Sequence, residues 1–266
     1  MNLGMPVLME LETPKSNAQL CARLGLQTLE LSMNLPQCCP EALSAEGLRA
    51  LAGEHGVALT LHLPEEMDLA TFHEPVRRGH MQRAVEAVRW AAAGGIKLIN
   101  MHLHAGVYYT LPEGRSYVYA AQAQGFAQRL LHGVRELSGI CADHGIALCV
   151  ENTGQFNLDF LAGPLQALLD EGAVGLTWDT GHDGKAGFAD RPFLLRNAAA
   201  LRHMHLHDFD DSHDHWPLNT GRLNLAEMLH LAQAHDLSVI LEVKTARALE
   251  RSVEVVRERL SKIDAI

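Results

Sequence analysis

Short runs of apolar and β-branched residues alternate along this chain with longer amphipathic stretches, and the alternation repeats eight times. Repeated βα units produce that pattern, and it commits the chain to a parallel sheet covered by helices. Strands are predicted at 5–11, 27–33, 57–63, 97–104, 146–151, 174–179, 201–207 and 238–243. Helices are predicted at 15–24, 44–55, 74–93, 117–144, 158–171, 190–200, 224–235 and 246–263. Gly25, Gly56, Gly94, Gly95, Gly145 and Gly172 supply stop signals near the helix ends. Eight units in 266 residues match the ~250 residues of a (β/α)8 barrel, whereas a doubly wound sheet usually carries a glycine-rich first turn. No G-x-G-x-x-G follows the first strand, and no Pro/Gly/Ser-rich linker divides the chain. The expected fold is therefore α/β, a single-domain (β/α)8 barrel over residues 1–266.

Composition narrows the function. Hydrophobic residues make up 47% and charged residues 20%, which excludes a disordered or collagen-like chain. With 22 Lys+Arg against 32 Asp+Glu, the net charge of -10 excludes a generally basic surface of the kind that coats nucleic acids. The opening MNLGMPVLMELETPK lacks the basic flank and long apolar core of a secretory signal. Runs such as LTLHLP and SVILEV fall far short of the ~20 residues of a membrane-spanning helix. Five cysteines, an odd number without a C-x-x-C pair, suit a reducing compartment, so a cytoplasmic protein is expected. Sixteen histidines are many for this length, and histidine is the commonest metal ligand.

Strand parity locates the polar groups. If Leu59, Leu61 and Leu63 face the helices, Thr60 and His62 point inward; if Met101 and Leu103 do, Asn100, His102 and His104 point inward. The strand at 201–207 gives His203, His205 and His207 inward. The same reading turns Glu151, Asp179 and Glu242 inward, each near the carboxyl end of its strand, where barrels of this kind build active sites. Three carboxylates around one point repel one another, and a divalent cation relieves that repulsion. The ordinary alternative is pairing with Lys or Arg from neighbouring strands, such as Lys244 or Arg202. Glu151, Asp179, His205 and Glu242 suit one Mn²⁺, Mg²⁺, Co²⁺ or Zn²⁺ ion. No organic cofactor is expected.

The segments VENTG (150–154), WDTGHD (178–183), HMHLHD (203–208), DHWPLNTGRLN (214–224) and LEVK (241–244) resemble those of the xylose isomerase-like TIM barrels, over nearly the whole chain. That superfamily includes sugar-phosphate isomerase/epimerase-like proteins, ketose 3-epimerases, hydroxypyruvate isomerases, inosose dehydratases and endonuclease IV-type repair enzymes. In the epimerases and isomerases, the positions matching Glu151, Asp179, His205 and Glu242 hold one divalent metal, and the two glutamates act as the catalytic acid and base. The resemblance thus implies an isomerase or epimerase that removes a proton beside a carbonyl. His182 matches a position that contacts substrate in the sugar enzymes or binds a further metal in the endonucleases.

The endonuclease branch is the alternative. His62, the H-A-G of His104 to Gly106, and His215 match positions of its three-zinc cluster. That branch has Asp-x-His where this chain has His213-Asp214-His215, so an imidazole is expected in place of one carboxylate ligand, with weak binding of any further metal. No cluster of Arg and Lys on the βα connections is evident to hold phosphates. A non-catalytic metabolite-binding barrel is the second alternative; it has no need of the glutamate pair.

Tyr108, Tyr109, Tyr117 and Tyr119 lie with Arg115 on the connection after the fourth strand, where they could close over a sugar or pack against a neighbour. Trp216 and Phe209 are candidate pocket walls. The expected substrate-contacting set is His62, His104, His182, His215, Tyr108 and Trp216. His102 and His203, one layer deeper, are expected to support the ligands, and Glu30 either to pair internally or to reach substrate. The expected partner is a small sugar or polyol, with no nucleic acid and no membrane, and the chain is compatible with a homo-oligomer.

Overall fold

The computed structural model describes residues 1–263. In chain order the strands are β1 (Asn2–Pro6), β2 (Thr28–Ser32), β3 (Ala58–His62), β4 (Leu98–His102), β5 (Tyr108–Leu111), β6 (Gly114–Tyr117), β7 (Ala147–Glu151), β8 (Gly175–Asp179), β9 (Leu201–Leu206) and β10 (Ser238–Leu241). Eight of them close a barrel in the order β1-β10-β9-β8-β7-β4-β3-β2, all pairs parallel. The helices are α1 (Pro14–Arg23), α2 (Ala45–His55), α3 (Glu74–Gly94), α4 (Val118–Ala121), α5 (Ala123–Asp143), α6 (Asp159–Asp170), α7 (Thr180–Lys185), α8 (Arg191–Arg196), α9 (Leu225–Ala234) and α10 (Ala246–Ile263). The chain is a single-domain (β/α)8 TIM barrel, as its alternating pattern predicts.

The helices begin where the sequence offers caps. Thr13 and Ser44 accept the N–H groups of Ser16 and Gly47, and Pro14 occupies the first turn of α1. Five of the glycines predicted as stops have left-handed backbone, among them Gly56 (φ 64°) and Gly95 (φ 88°). Gly94 is instead the last residue of α3, where a Cβ would meet Leu48 of α2 at 2.3 Å.

Several predicted boundaries move. The first strand ends at Pro6 rather than 11, because the Asn17 side chain accepts the Leu8 N–H at 2.7 Å and bends the chain away from the barrel. The helix expected at 117–144 begins later and is broken at Gln122; before it stands an antiparallel hairpin, β5–β6, turned at Pro112-Glu113-Gly114. The helix expected at 190–200 stops at Arg196, where the Asn197 side chain donates to the Phe193 carbonyl and a 3-10 turn follows.

The core is the layer between sheet and helices. Leu61, Met101, Val150, Leu176, Trp178, Met204 and Leu206 are buried there, on the outward face that strand parity assigns them. The barrel interior is polar: Glu30, Thr60, His62, Asn100, Glu151, Thr177, Asp179, His203 and His205 are all buried. All five cysteines are free and buried. Among the described residues, no helix is long and apolar enough to cross a membrane.

Candidate functional site

Strand register sets the heights of the inward side chains. Glu151 is level with His102 on the neighbouring strand, and Asp179 is level with His205. Glu242 lies one residue beyond β10, its N–H donating to the Leu206 carbonyl at 3.2 Å. Glu151, Asp179, His205 and Glu242 each bring one ligand atom within 4.8 Å of the others. His205 Nδ1 sits among the carboxylates, 2.9 Å from Glu242 Oε2, 3.3 Å from Glu151 Oε2 and 3.9 Å from Asp179 Oδ2. It is buried and makes no hydrogen bond. Three carboxylates around one unpartnered imidazole nitrogen form a donor set that fits a divalent cation.

Each ligand candidate is held from behind. Asn100 donates to Glu151 Oε2, and the His62 and His102 Nε2 atoms lie 3.3 Å from its two oxygens. Asp179 Oδ1 caps α7 by accepting the His182 N–H at 2.6 Å, while Oδ2 takes His207 Nε2 at 2.9 Å. The backbone at Asp179 is stapled by Asn152, which both donates to its carbonyl and accepts its N–H. Gly181 makes this possible: a Cβ there would stand 2.1 Å from the His207 ring. Lys244 pairs with Glu242 at 2.8 Å, so the ordinary cation pairing holds for this one acid, whereas Arg202 donates to the carbonyls of Ala199 and Leu201.

Charge follows geometry. Burial alone would raise the Glu151 carboxyl, but the His205 and His102 imidazoles hold it well below the usual carboxylate range. Burial likewise opposes the ionised Glu242, and His205 and Lys244 outweigh it. Burial would lower His205, yet Glu151, Glu30 and Glu242 push it well above the ordinary imidazole value. Burial would lower the His62 imidazole, but the adjacent Glu151 and the Glu30 charge push it up to about 9.

A cavity of about 400 Å³ opens on this group. His62, His182 and His215 line it with Glu151 and Glu242, and the segment Pro6–Met9 with Leu35 and Val243 gives it an apolar wall. Among the described residues lining it, Lys244 is the only Lys or Arg. Asp179 and His205 lie beneath that lining, each at most 1% exposed.

His104, Tyr108 and Trp216 are not among the lining residues. His104 does not line this cavity with the other three histidines: β4 ends at His102, and His104 lies on the loop beyond it. Tyr108 sits on the hairpin, 5.5 Å from Tyr117 across the strands and under the Arg115 guanidinium at 4.5 Å. Tyr117 packs on Phe160, and Tyr119 is buried against Phe126. Tyr108 and Tyr117 therefore pack on each other and on Phe160, while Tyr109 is exposed, and none of them is among the residues lining the cavity. Trp216 is 40% exposed, on a loop that the buried Asp208 organises by accepting the N–H groups of Thr220, Gly221 and Leu223. Phe209 is buried where a Cβ on Gly184 would stand.

Four further donor groups adjoin or overlap the first: His62, His102 and Glu151; His182, Asp214 and His215; Glu30, His203 and His205; and Asp179, His207, His215 and Glu242. The carboxylate expected to be lost at His213 is thus supplied one position on, with Asp214 Oδ1 3.0 Å from His215 Nδ1. Sequence reasoning passed over Asp214 and over His207 as the partner of Asp179, although the spacing in HMHLHD already turned His207 inward.

A family model described as xylose isomerase-like TIM barrel matches residues 18–263. No curated protein matches the sequence. Among solved structures, the chain is similar to a D-tagatose 3-epimerase-like protein at 20% identity and TM-score 0.82, covering 100% of this chain and 99% of that one. It is also similar to the TTHB071 protein of Thermus thermophilus soaked with zinc chloride, at 22% identity and TM-score 0.75, covering 98% and 99%. The IOLI protein with a bound zinc atom aligns at 16% identity and TM-score 0.74, over 98% and 99%. At these identities the likeness is one of fold.

Proposed function

Because the chain belongs to the xylose isomerase-like TIM barrel family, we propose that it is a divalent-metal-dependent isomerase or epimerase that moves a proton beside the carbonyl of a small sugar or polyol-like hydroxy-ketone. The observation that carries this reading is the meeting of Glu151, Asp179, His205 and Glu242 within 4.8 Å at a cavity of about 400 Å³. These four residues would hold the ion, and a bound divalent cation supplies electrophilic polarisation of substrate oxygens. Glu151 and Glu242 are the acid/base pair: both are held ionised by their neighbours, and both line the cavity. Each keeps its proton-accepting form by contact with imidazole, and Glu242 also by the Lys244 ammonium. His62, His182 and His215 supply ring nitrogens to orient hydroxyl groups, and the apolar wall limits water around the reacting carbon. Neighbours described as D-tagatose 3-epimerase-like and as D-psicose 3-epimerase with D-tagatose are consistent with a sugar.

The test is to screen ketoses, inososes and hydroxypyruvate in D₂O with Mn²⁺ or Zn²⁺. Deuterium should appear at the carbon next to the carbonyl; turnover without it would replace proton transfer by hydride transfer or hydrolysis. A ligand bound without turnover, with unchanged affinity in both Glu→Gln variants, would favour a metabolite-binding barrel. One observation favours a second reading, a multi-zinc phosphodiesterase acting on abasic DNA: the further donor groups around the first, one of which includes Asp214. Two or three stoichiometric zincs together with chelator-sensitive nicking of an abasic oligonucleotide would promote it.

A further inference from the structure

Two residues that follow different strands hold each other at the mouth of the cavity. Asn34 lies beyond the end of β2 and Glu65 beyond the end of β3, and both line the cavity. The Asn34 side chain donates to Glu65 Oε1 at 2.9 Å and accepts the Glu65 N–H at 3.0 Å. Its own N–H donates to Ser32 Oγ, at the end of β2, at 3.3 Å. The oxygen and nitrogen of the Asn34 amide are thereby both committed, and an exposed glutamate that would otherwise sample many rotamers is fixed at the rim. Among the described residues, Glu65 Oε2 has no hydrogen-bond partner. The barrel order β10-β1-β2-β3 sets the sequence around this rim: Lys244, then the apolar segment 6–9, then Asn34 and Glu65. The one ammonium of the lining is thus separated from the fixed acid, and it already sits 2.8 Å from Glu242 Oε1.

We propose that the Asn34–Glu65 pair determines substrate class: an acid fixed at the mouth accepts a hydroxyl of an uncharged polyol ketone and turns away substrates that carry a phosphate or carboxylate. A carboxylate only accepts hydrogen bonds, so a hydroxyl satisfies it and an anion does not. Repulsion between two anions in a partly desolvated cleft is screened only in part by water. A glutamate free to rotate would swing into solvent and let the anion pass; the Asn34 amide prevents that. Sites that hold phosphate gather Arg or Lys side chains and free backbone N–H groups. Here the Glu65 N–H is taken by Asn34 and the Lys244 ammonium by Glu242. Selection therefore works by rejection as much as by fit. The inference rests on the isomerase reading given above and names the substrate class of the same cavity.

The experiment has two arms, run on the Mn²⁺-loaded parent and on Glu65→Gln, Asn34→Ala and Glu66→Gln. Glu66 is exposed and does not line the cavity, so its variant controls for the loss of one surface charge. Calorimetric titration with inorganic phosphate, at about pH 8 where the dianion prevails, reads anion affinity without turnover. Deuterium uptake from D₂O is compared for D-tagatose and D-fructose, for their 6-phosphates and for hydroxypyruvate. The parent should exchange the free ketoses faster than the charged compounds. Glu65→Gln should bind phosphate about tenfold more tightly, the size of one like-charge contact in a partly solvated cleft. Its preference for free ketoses should shrink by a similar factor, through KM rather than kcat. Asn34→Ala should change both in the same direction and by less, and Glu66→Gln should match the parent. Thermal unfolding establishes that each variant is folded; if Asn34→Ala is not, Glu65→Gln decides. Faster exchange of a 6-phosphate or of hydroxypyruvate by the parent overturns the substrate class and leaves the isomerase reading intact. Unchanged phosphate affinity or unchanged preference in Glu65→Gln, or an equal change in Glu66→Gln, overturns the role of the pair. A parent that exchanges none of these compounds, free or charged, removes the isomerase reading for them and the substrate class with it.

Discussion

His215 stacks on His207 with ring centroids 4.1 Å apart and planes 5° from parallel. The His215 N–H donates to His207 Nδ1 at 2.8 Å, and His215 adopts a left-handed backbone, φ 60°, to make the contact. His207 holds Asp179, and His215 Nε2 lies 3.2 Å from Glu242 Oε1, so one stacked pair braces two carboxylates from strands on either side of β9.

Gly181→Ala should disturb that brace, since its Cβ would stand 2.1 Å from the His207 ring. Overpacking of this kind costs roughly 1–3 kcal/mol, read as a lower urea midpoint of the metal-free protein. Gly139→Ala, with nothing within 4 Å of its Cβ inside α5, should instead gain roughly 0.5–1 kcal/mol. Equal midpoints in the two variants would remove the steric argument.

Metal loading should release protons. His205 is held charged well above its ordinary value by Glu151, Glu30 and Glu242 against the effect of burial, and a ligating Nδ1 must lose its proton. Affinity for Zn²⁺ should therefore fall as pH is lowered from 8 to 6. Calorimetric titrations in buffers of differing ionisation enthalpy should give a dependence on buffer; identical heats in all buffers would contradict a protonated His205 in the metal-free protein.

Glu151→Gln and Glu242→Gln should each lower deuterium incorporation from D₂O by a factor on the order of 10² or more, the range for losing a general base. Thermal unfolding should change little, because Gln preserves size. Full exchange in either variant would move the proton transfer to another group.

Asp183 offers a pH test away from the cavity. Burial, opposed by Arg191, raises its carboxyl to about 6. A folded pKa above the unfolded one favours the protonated form in the native state, so the contribution is complete below the unfolded pKa and is lost as pH rises through about 6. Asp183→Asn, which mimics the protonated form, should gain stability relative to the parent between pH 4 and 8, by up to about 3 kcal/mol. A difference that does not vary with pH would show that Arg191 fully offsets the burial.

The fold and the meeting of Glu151, Asp179, His205 and Glu242 were legible because both rest on periodicity. Eight repeats announced the barrel, and period-two alternation brought Glu151, Asp179 and His205 to one end of it. Parity failed where strands stop: His104 continues the alternation of His102 in sequence, but the pleat ends between them. The hairpin from Tyr108 to Tyr117 was hidden because all but its last residue are exposed, so no buried face imposed a pattern. His203, which hydrogen-bonds Glu30, lies 173 residues away in the chain, a closeness that only barrel closure creates.

Glu151, Asp179, His205 and Glu242 come from β7, β8, β9 and the end of β10, whereas Val7, Met9, Ser32, Asn34, Leu35 and Glu65 in the cavity lining come from β1–β3 and the segments that follow them. On the reading proposed above, the donor set comes from the later half of the polypeptide, while much of the remaining wall, His182, His215 and Val243 excepted, comes from the earlier half. Variation in the early connections should then retune which molecule is accepted while the later strands keep the same electrostatic character. Libraries confined to positions 7–9, 34–35 and 65 should accordingly shift substrate preference among clones whose affinity for zinc stays that of the parent.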